Sequence, residues 1–307
     1  MRAFDSVEGA RGALRGCALA IGNFDGVHLG HQALFRAAEA AGVAAALTFE
    51  PHPGTVINPR FAPRRLTTPE RKLELLEAAG LEAAVVQPFD ARFAAIPARE
   101  FVERLLLAEL GVAAVVVGDD FSFGRKREGR VAQLGEWLRA GGARLVIVPK
   151  VEVDGLPVSS TRIRELVLEG RVDAAARLLG RPFDVDGVVE SGMGRGRSLG
   201  FPTANIAPLG EMLPANGVYA VRASLLRPGG GEYLGAANLG RKPTFGEDGT
   251  QTLEVHLLGY DGSSLLGTRM RVGFVARLRD EMRFPSLAAL TEQIGKDVAE
   301  AARRARS

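Results

Sequence analysis

From residue 18 to about 150, short uninterrupted apolar runs alternate with segments of helical periodicity. Ala18–Ile21 and residues 44–49, 83–86, 113–118 and 145–148 read as strands. Residues 32–41, 69–79, 98–109 and Val131–Ala140 read as the helices between them. Strands that lack clean apolar/polar alternation and are separated by helices predict a parallel sheet covered on both faces. Ligands of such sheets gather beyond the carboxyl ends of the strands. The segments after Ile21, Phe49 and Val117 carry the unusual polar residues, in keeping with that rule.

After Val158, Ser159-Ser160-Thr161 leads into Arg162-Ile163-Arg164-Glu165-Leu166-Val167-Leu168, a capped helix with hydroxyls and arginines in its first turn. A second helix, Val172–Leu179, ends at Gly180-Arg181-Pro182, which reads as a domain joint. The pattern therefore predicts domains 1–182 and 183–307, each with its own core. From Phe183 the texture turns β-rich. Residues 184–190, 218–223, 234–238, 253–258 and 270–275 are separated by Gly/Pro/Asp turns, and Pro228-Gly229 and Asp261-Gly262 predict hairpins. Short strands at this spacing predict a small barrel or sandwich. One amphipathic helix, 286–302, closes the chain with Leu287, Leu290, Ile294 and Val298 on one face.

Composition narrows the function classes. The 307 residues include 46% apolar and 24% charged side chains, enough for real cores. Net charge is only +3, with no block of like charge, which argues against a nucleic-acid partner. The cluster Arg303-Arg304-Ala305-Arg306 reads as a frayed helix end. Cys17 is the single cysteine, so neither an internal disulfide nor a cysteine zinc site is available. With no apolar signal core and no run of membrane-spanning length, the expectation is a soluble cytoplasmic protein with no membrane partner.

The stretch Gly22-Asn23-Phe24-Asp25-Gly26-Val27-His28-Leu29-Gly30-His31 joins the first strand to a helix start. Its glycines allow close backbone approach to a ligand. His28 and His31 flank Gly30 and can aim at one anion near the helix N-terminus. Two histidines three apart also suit a metal, or serve only the turn. His52, between Pro51 and Pro53, lies at the expected ligand edge and can equally be a turn residue. Asp119-Asp120 fits a solvated loop as well as a site. Neither a GxxxxGK[ST] loop nor a GxGxxG after the first strand is present.

Taken in order, the motifs carry more than they do singly. GNFDGVHLGH with SSTRIR resembles the nucleotidylyltransferase superfamily, which pairs an HxGH-type turn with an SSTxxR-type helix start. More narrowly, GNFDGVHLGH, TFEPHP, VGDDFSFG and VSSTRIR resemble the bacterial bifunctional riboflavin kinase/FMN adenylyltransferases, or FAD synthetases. GRSLGFPTANI, GVYA, NLGRKPTFG, EVHLL and RLRDEMRF extend the likeness through the second half. Val158 and Leu239 stand where isoleucine is frequent, and neither has a polar role. The resemblance implies an α/β nucleotidylyltransferase-like, doubly wound parallel sheet, followed by a small all-β barrel domain with a C-terminal helix. It also implies the substrates riboflavin, FMN and ATP, with Mg²⁺ as cofactor, and no obligate protein partner.

By the same resemblance His28 and His31 donate to ATP phosphates, and Gly22, Asn23, Phe24, Asp25 and Gly30 line the nucleotide. Ser160, Thr161 and Arg164 hold the β- and γ-phosphates, and Asp120 lies at the flavin-side loop. In the second domain Glu254 matches the carboxylate that accepts the riboflavin 5′-hydroxyl proton. Thr203 and Asn205, two apart and so on one face of a strand-like segment, suit Mg²⁺ as oxygen ligands. Gly194 and Gly196, with Gly192 and Gly200, cover phosphates; Arg279 and Phe284 border the flavin. A nicotinamide- or pantetheine-phosphate adenylyltransferase would leave residues 183–307 unexplained. A flavin-binding regulator without catalysis would have no use for the full set His28, His31, Arg164, Thr203, Asn205 and Glu254.

Overall fold

A computed structural model describes residues 1–192, 196, 199–241, 251–261 and 263–306. They form two compact units, Met1–Arg64 with Pro69–Ser159, and Arg65–Thr68 with Ser160–Ser307.

The first unit is built on six parallel strands: β1 (Arg2–Phe4), β2 (Ala18–Ile21), β3 (Ala44–Glu50), β4 (Ala83–Pro88), β5 (Ala114–Gly118) and β6 (Arg144–Val148). Their spatial order is β1-β4-β3-β2-β5-β6. All four residues of β2 are buried, and so are the first five of β3 and the first four of β5. That burial on both faces explains why the apolar runs do not alternate. The sheet divides the core into two clusters: Leu19, Ile21, Leu47, Val85 and Val115 face one side, Ala18, Ala20, Ala46, Ala84 and Val116 the other. The strand β1, at an edge beside β4, is too short to leave a periodic signal. Helix α1 (Leu29–Ala41) follows β2, α2 (Pro69–Ala78) precedes β4, and α3 (Val131–Ala140) precedes β6. Between β4 and β5, the expected helix begins at Ala98–Glu100 and continues as a π-helix over Phe101–Leu110, with Phe101, Val102, Leu105, Leu106 and Leu110 buried.

The second unit is a closed six-stranded barrel: β7 (Phe183–Glu190), β8 (Ala204–Pro208), β9 (Gly217–Leu225), β10 (Glu232–Arg241), β11 (Gln251–Leu257) and β12 (Arg269–Arg279). The order β7-β8-β11-β10-β9-β12 is antiparallel throughout. Pro228-Gly229 makes the expected β9–β10 hairpin. Asp261-Gly262 does not make one, because β11 pairs with β8 and β10 while β12 closes between β7 and β9. Gly262 itself lies outside the described residues.

Two helices expected on the N-terminal side of the joint, α4 (Ser160–Leu168) and α5 (Val172–Leu179), group with the barrel instead. A Cβ on Gly170 between them would sit 2.9 Å from the Tyr219 hydroxyl, so the turn lies directly on β9. By compactness the main segment of the second unit begins at Ser160. Arg65–Thr68 joins the barrel through a bridge to Glu211 and the Met212 N–H bond to the Arg65 carbonyl, 2.9 Å.

The last helix, α6 (Leu287–Arg306), differs from expectation at both ends. Leu287 is 70% exposed, and the buried line is Asp297, Ala301 and Ala305. The arginine-rich end is not frayed: Arg222 on β9 donates to the Ala305 carbonyl at 3.0 Å, placing a cation at the helix C-terminus. Arg303 and Arg304 both pair with Glu300.

A buried acidic group braces the barrel. Asp186 takes a bidentate grip from Arg271, 2.6 and 2.7 Å, and its N–H donates to Glu211 Oε1 at 3.0 Å. Glu211 Oε2 is buried and has no hydrogen-bond partner among the described residues. Burial, reinforced by Asp186 and Asp184, raises the Glu211 pKa, against which the Asp186 N–H pulls. A raised carboxyl pKa means that the folded chain keeps a proton the unfolded chain has already released. Ionising Glu211 therefore costs stability progressively as pH rises above the ordinary carboxyl range. Glu211→Gln keeps the accepting oxygen and removes the charge. It is expected to raise the thermal midpoint by a few degrees, with a larger gain at pH 8 than at pH 5, as read by parallel melts. An equal gain at both values would remove ionisation as the cause.

Candidate functional site

In the first unit the described buried polar and charged side chains are Asp25, His28, Thr48 and Lys72. Asp25 and His28 stand on the turn after β2, Thr48 near the end of β3. A parallel sheet buried on both faces leaves only its strand ends for such groups, and the polar residues occupy the carboxyl edge.

The turn is tightly specified. Phe24 (φ 50°) and Val27 (φ 42°) adopt left-handed backbone, which is costly for an aromatic and more so for a β-branched residue. Both are buried, Phe24 completely, and the core holds them there. A Cβ at Gly22 would lie 2.8 Å from the Phe24 ring, so the strand end needs glycine. His28 caps α1, with Nδ1 accepting from the His31 N–H at 3.3 Å. Its ring proton in the neutral form is thus on Nε2, as a donor. The His28 and His31 rings stack at 3.5 Å, and Phe24 meets His31 edge-on at 5.3 Å. Gly30 runs past the stack: a Cβ there would fall 3.1 Å from the His28 ring and 3.5 Å from the Val158 carbonyl.

Beside this turn, the Asn23 amide meets His52 Nε2 at 3.2 Å, and His52 Nδ1 accepts from the Gly54 N–H at 3.0 Å. Thr48 Oγ1 donates to the Asn23 carbonyl at 3.0 Å. His52 is thereby part of the same edge as Asn23. Asp120, just beyond β5, is well exposed and pairs with Lys150 at 3.3 Å. Ser160, Thr161 and Arg164 stand on the first turns of α4, within the second unit; Ile163 is their buried neighbour.

The barrel assembles a second group. Along β11, Leu253, Val255 and Leu257 are buried, whereas Glu254 and His256 are half-buried on the other face, as alternation requires. Register sets Glu254 opposite Asn205 on β8 and opposite Asn238 on β10. Thr203 stands just ahead of β8, two residues before Asn205. Gly192 and Gly196 lie close to these side chains: a Cβ on Gly192 would overlap Asn205 Nδ2, and one on Gly196 would overlap the Phe201 carbonyl and come 3.2 Å from Thr203 Oγ1. Only glycine fits such approaches. Gly194 lies outside the described residues. His256 donates from Nδ1 to the Pro202 carbonyl at 2.8 Å, fixing the chain ahead of Thr203.

Arg279 and Phe284 come together, the guanidinium 5.7 Å from the ring centroid. Arg279 also grips Asp297 of α6 through three contacts of 2.7–3.1 Å, so it fastens the end of β12 to the last helix. Lys72, Asn238 and Asp297 were not found by sequence reasoning. Lys72 and Asp297 each keep the helical phase of apolar neighbours, and a charge in that phase is the one available signal.

Family models for FAD synthetase and riboflavin kinase match residues 11–162 and 179–305. The bifunctional riboflavin kinase/FMN adenylyltransferase of Pseudomonas fluorescens is 41% identical over 292 residues, 94% of this chain and 92% of that one. The enzyme of the same name from Escherichia coli K12 is 38% identical, over 92% and 90% of the two chains. A crystal structure titled macrolide-efflux protein, from Streptococcus pneumoniae, superposes with TM-score 0.86 at 30% identity, over 98% of each chain. Among the described residues no helix is long and apolar enough to cross a membrane.

The chain has four histidines, so their Hε1 protons give four NMR signals. Gly30→Ala is expected to shift the His28 and His31 signals and leave that of His256 in place. Unmoved His28 and His31 signals would mean that the stack does not depend on the missing Cβ.

Proposed function

Because the chain belongs to the bifunctional riboflavin kinase/FMN adenylyltransferase family, we propose a division of its two reactions among the residues described above. The chain is an ATP-dependent transferase: it phosphorylates riboflavin to FMN, then adenylylates FMN to FAD with release of pyrophosphate.

The two steps pose different chemical problems. FMN phosphate is largely dianionic at neutral pH, so its attack on the α-phosphate of ATP needs positioning and charge neutralisation rather than a base. We assign that role to His28 and His31, whose stacked rings stand at the N-terminus of α1. Gly22, Asn23, Phe24, Asp25 and Gly30 shape the nucleotide side. Ser160, Thr161 and Arg164 offer hydroxyls, amides and a cation to the β- and γ-phosphates. Asp120 is assigned to the flavin-side loop.

Riboflavin instead attacks through a neutral 5′-hydroxyl, which needs a proton acceptor as it reaches the γ-phosphate of ATP. Glu254 takes that proton. The observation that carries this assignment is the register Asn205–Glu254–Asn238, with Gly192 and Gly196 packed on Asn205 and Thr203. Thr203 and Asn205 offer a hydroxyl and an amide oxygen. That donor set fits Mg²⁺, which keeps several waters and is shared with phosphates. Bound there, the ion would neutralise phosphate charge. Gly194 and Gly196 cover the phosphates, and Arg279 and Phe284 border the flavin. These roles need no nucleic acid, membrane or obligate protein partner; the cytoplasm, where riboflavin and ATP meet, is the proposed location.

Flavins separated by chromatography after incubation with riboflavin, ATP and Mg²⁺ test the scheme. Glu254→Gln is expected to slow riboflavin phosphorylation by about 10²–10⁴-fold, the range of general acid–base catalysis. FAD formation from supplied FMN should continue. A Gln variant within a few-fold of the parent would make Glu254 a bystander.

His28→Ala or His31→Ala is expected to slow FAD formation by roughly 10²–10³-fold, the effect of losing one preorganised donor. Riboflavin phosphorylation should stay near normal. A folded variant that loses the kinase step instead would contradict the assignment.

A further inference from the structure

Lys72 is 5% exposed, an unusual state for a lysine. It lies on α2 in the phase of Leu75 and Leu76, both buried, so its stem belongs to the apolar face of the helix. Its ammonium reaches the carboxyl end of β3. There Nζ stands 3.4 Å from Thr48 Oγ1, 3.4 Å from the Phe49 carbonyl and 3.6 Å from Glu50 Oε2. Burying a charge is costly unless several partners share it, and here three consecutive residues of one strand do so.

Those residues lead into the turn after β2. Thr48 Oγ1 accepts from Lys72 and donates to the Asn23 carbonyl, and the Asn23 side chain meets His52. One ammonium thus holds the strand end from which both the Thr48–Asn23 link and the Glu50-Pro51-His52 turn depart. An apolar side chain would fill the same space without orienting Thr48. We propose that Lys72 is a positioning residue for FMN adenylylation, acting through Thr48 to fix Asn23 and the GNFDGVHLGH turn. This rests on the reading that the turn serves adenylyl transfer.

The full chain is assayed as Lys72→Met, which keeps the apolar stem and removes the charge, as Lys72→Arg, and as Thr48→Val. Lys72→Met is expected to lower kcat for FMN adenylylation by about 10–10²-fold, the cost of a misplaced reacting geometry, with a smaller change in KM for ATP. Lys72→Arg should recover most of the rate. Thr48→Val should lose rate comparably. The double variant should be no slower than the slower single one, because both changes break one connection. Riboflavin phosphorylation by the same samples should match the parent and verifies the second unit.

A purely structural lysine predicts otherwise: Lys72→Met would adenylylate within about threefold of the parent, or its effect would multiply with that of Thr48→Val. Either result overturns the proposal. Should Lys72→Met fail to fold, the near-isosteric Thr48→Val decides alone, and a parental rate from it is equally fatal. Failure of the underlying site reading shows elsewhere, as undiminished FMN adenylylation by His28→Ala.

Discussion

Strand β2 is buried on both faces, so no polar side chain can enter the first unit's chemistry until the backbone leaves the sheet at Gly22. Much of the local structure follows from that departure. The chain must turn within a few residues into α1, and it does so with left-handed backbone at Phe24 and Val27. Strain of this kind survives only where packing over-determines it, and Phe24 supplies the packing against Phe35 and His31. The outcome is a donor-rich helix start whose position is set by a core residue rather than by a flexible loop.

The barrel solves the opposite problem. Along β11 only alternate residues are buried, so polar groups can sit on its other face, and register decides which of them meet. Asn205, Glu254 and Asn238 come from three strands separated by long connections, yet pairing sets them side by side. Under the proposed division of the two reactions, each nucleophile meets the kind of scaffold that its chemistry needs. A dianionic phosphate needs donors and cations, which strand ends and helix starts provide. A neutral alcohol needs a base, which an alternating strand can hold without disturbing its apolar side.

Legibility in the sequence followed the range of the interaction that decides each feature. β2, α3 and α5 are governed by local pattern, and their limits were read to the residue. The alternation that puts Glu254 and His256 outward was readable for the same reason. What local pattern does not contain is pairing. Asp261-Gly262 has turn chemistry, yet the strands on either side of it are not neighbours in the barrel. Nor does pattern say which helix covers which unit, so α4 and α5 read as the end of one unit and pack with the other. Lys72 stayed hidden because a lysine beside Leu75 and Leu76 looks like the edge of an amphipathic stripe until its partners on β3 are known. Arg279 illustrates another limit: resemblance alone connects it with the flavin, and its ion pair with Asp297 of α6 is a tertiary contact that local pattern does not contain.

Arg65–Thr68 has a consequence for how such a protein can be inherited and recombined. The barrel unit draws this short strap from the interior of the other unit's sequence and holds it through Glu211 and Met212. No single crossover point in the gene then corresponds to a structural seam. A hybrid gene spliced once between residues 68 and 211 takes the strap and its partners Glu211 and Met212 from different parents. Where the parents differ at the Arg65–Glu211 pairing, the two halves of that contact become mismatched. The interleaving links substitutions near residue 65 to substitutions near residue 211, so the two reactions are packaged as one heritable piece.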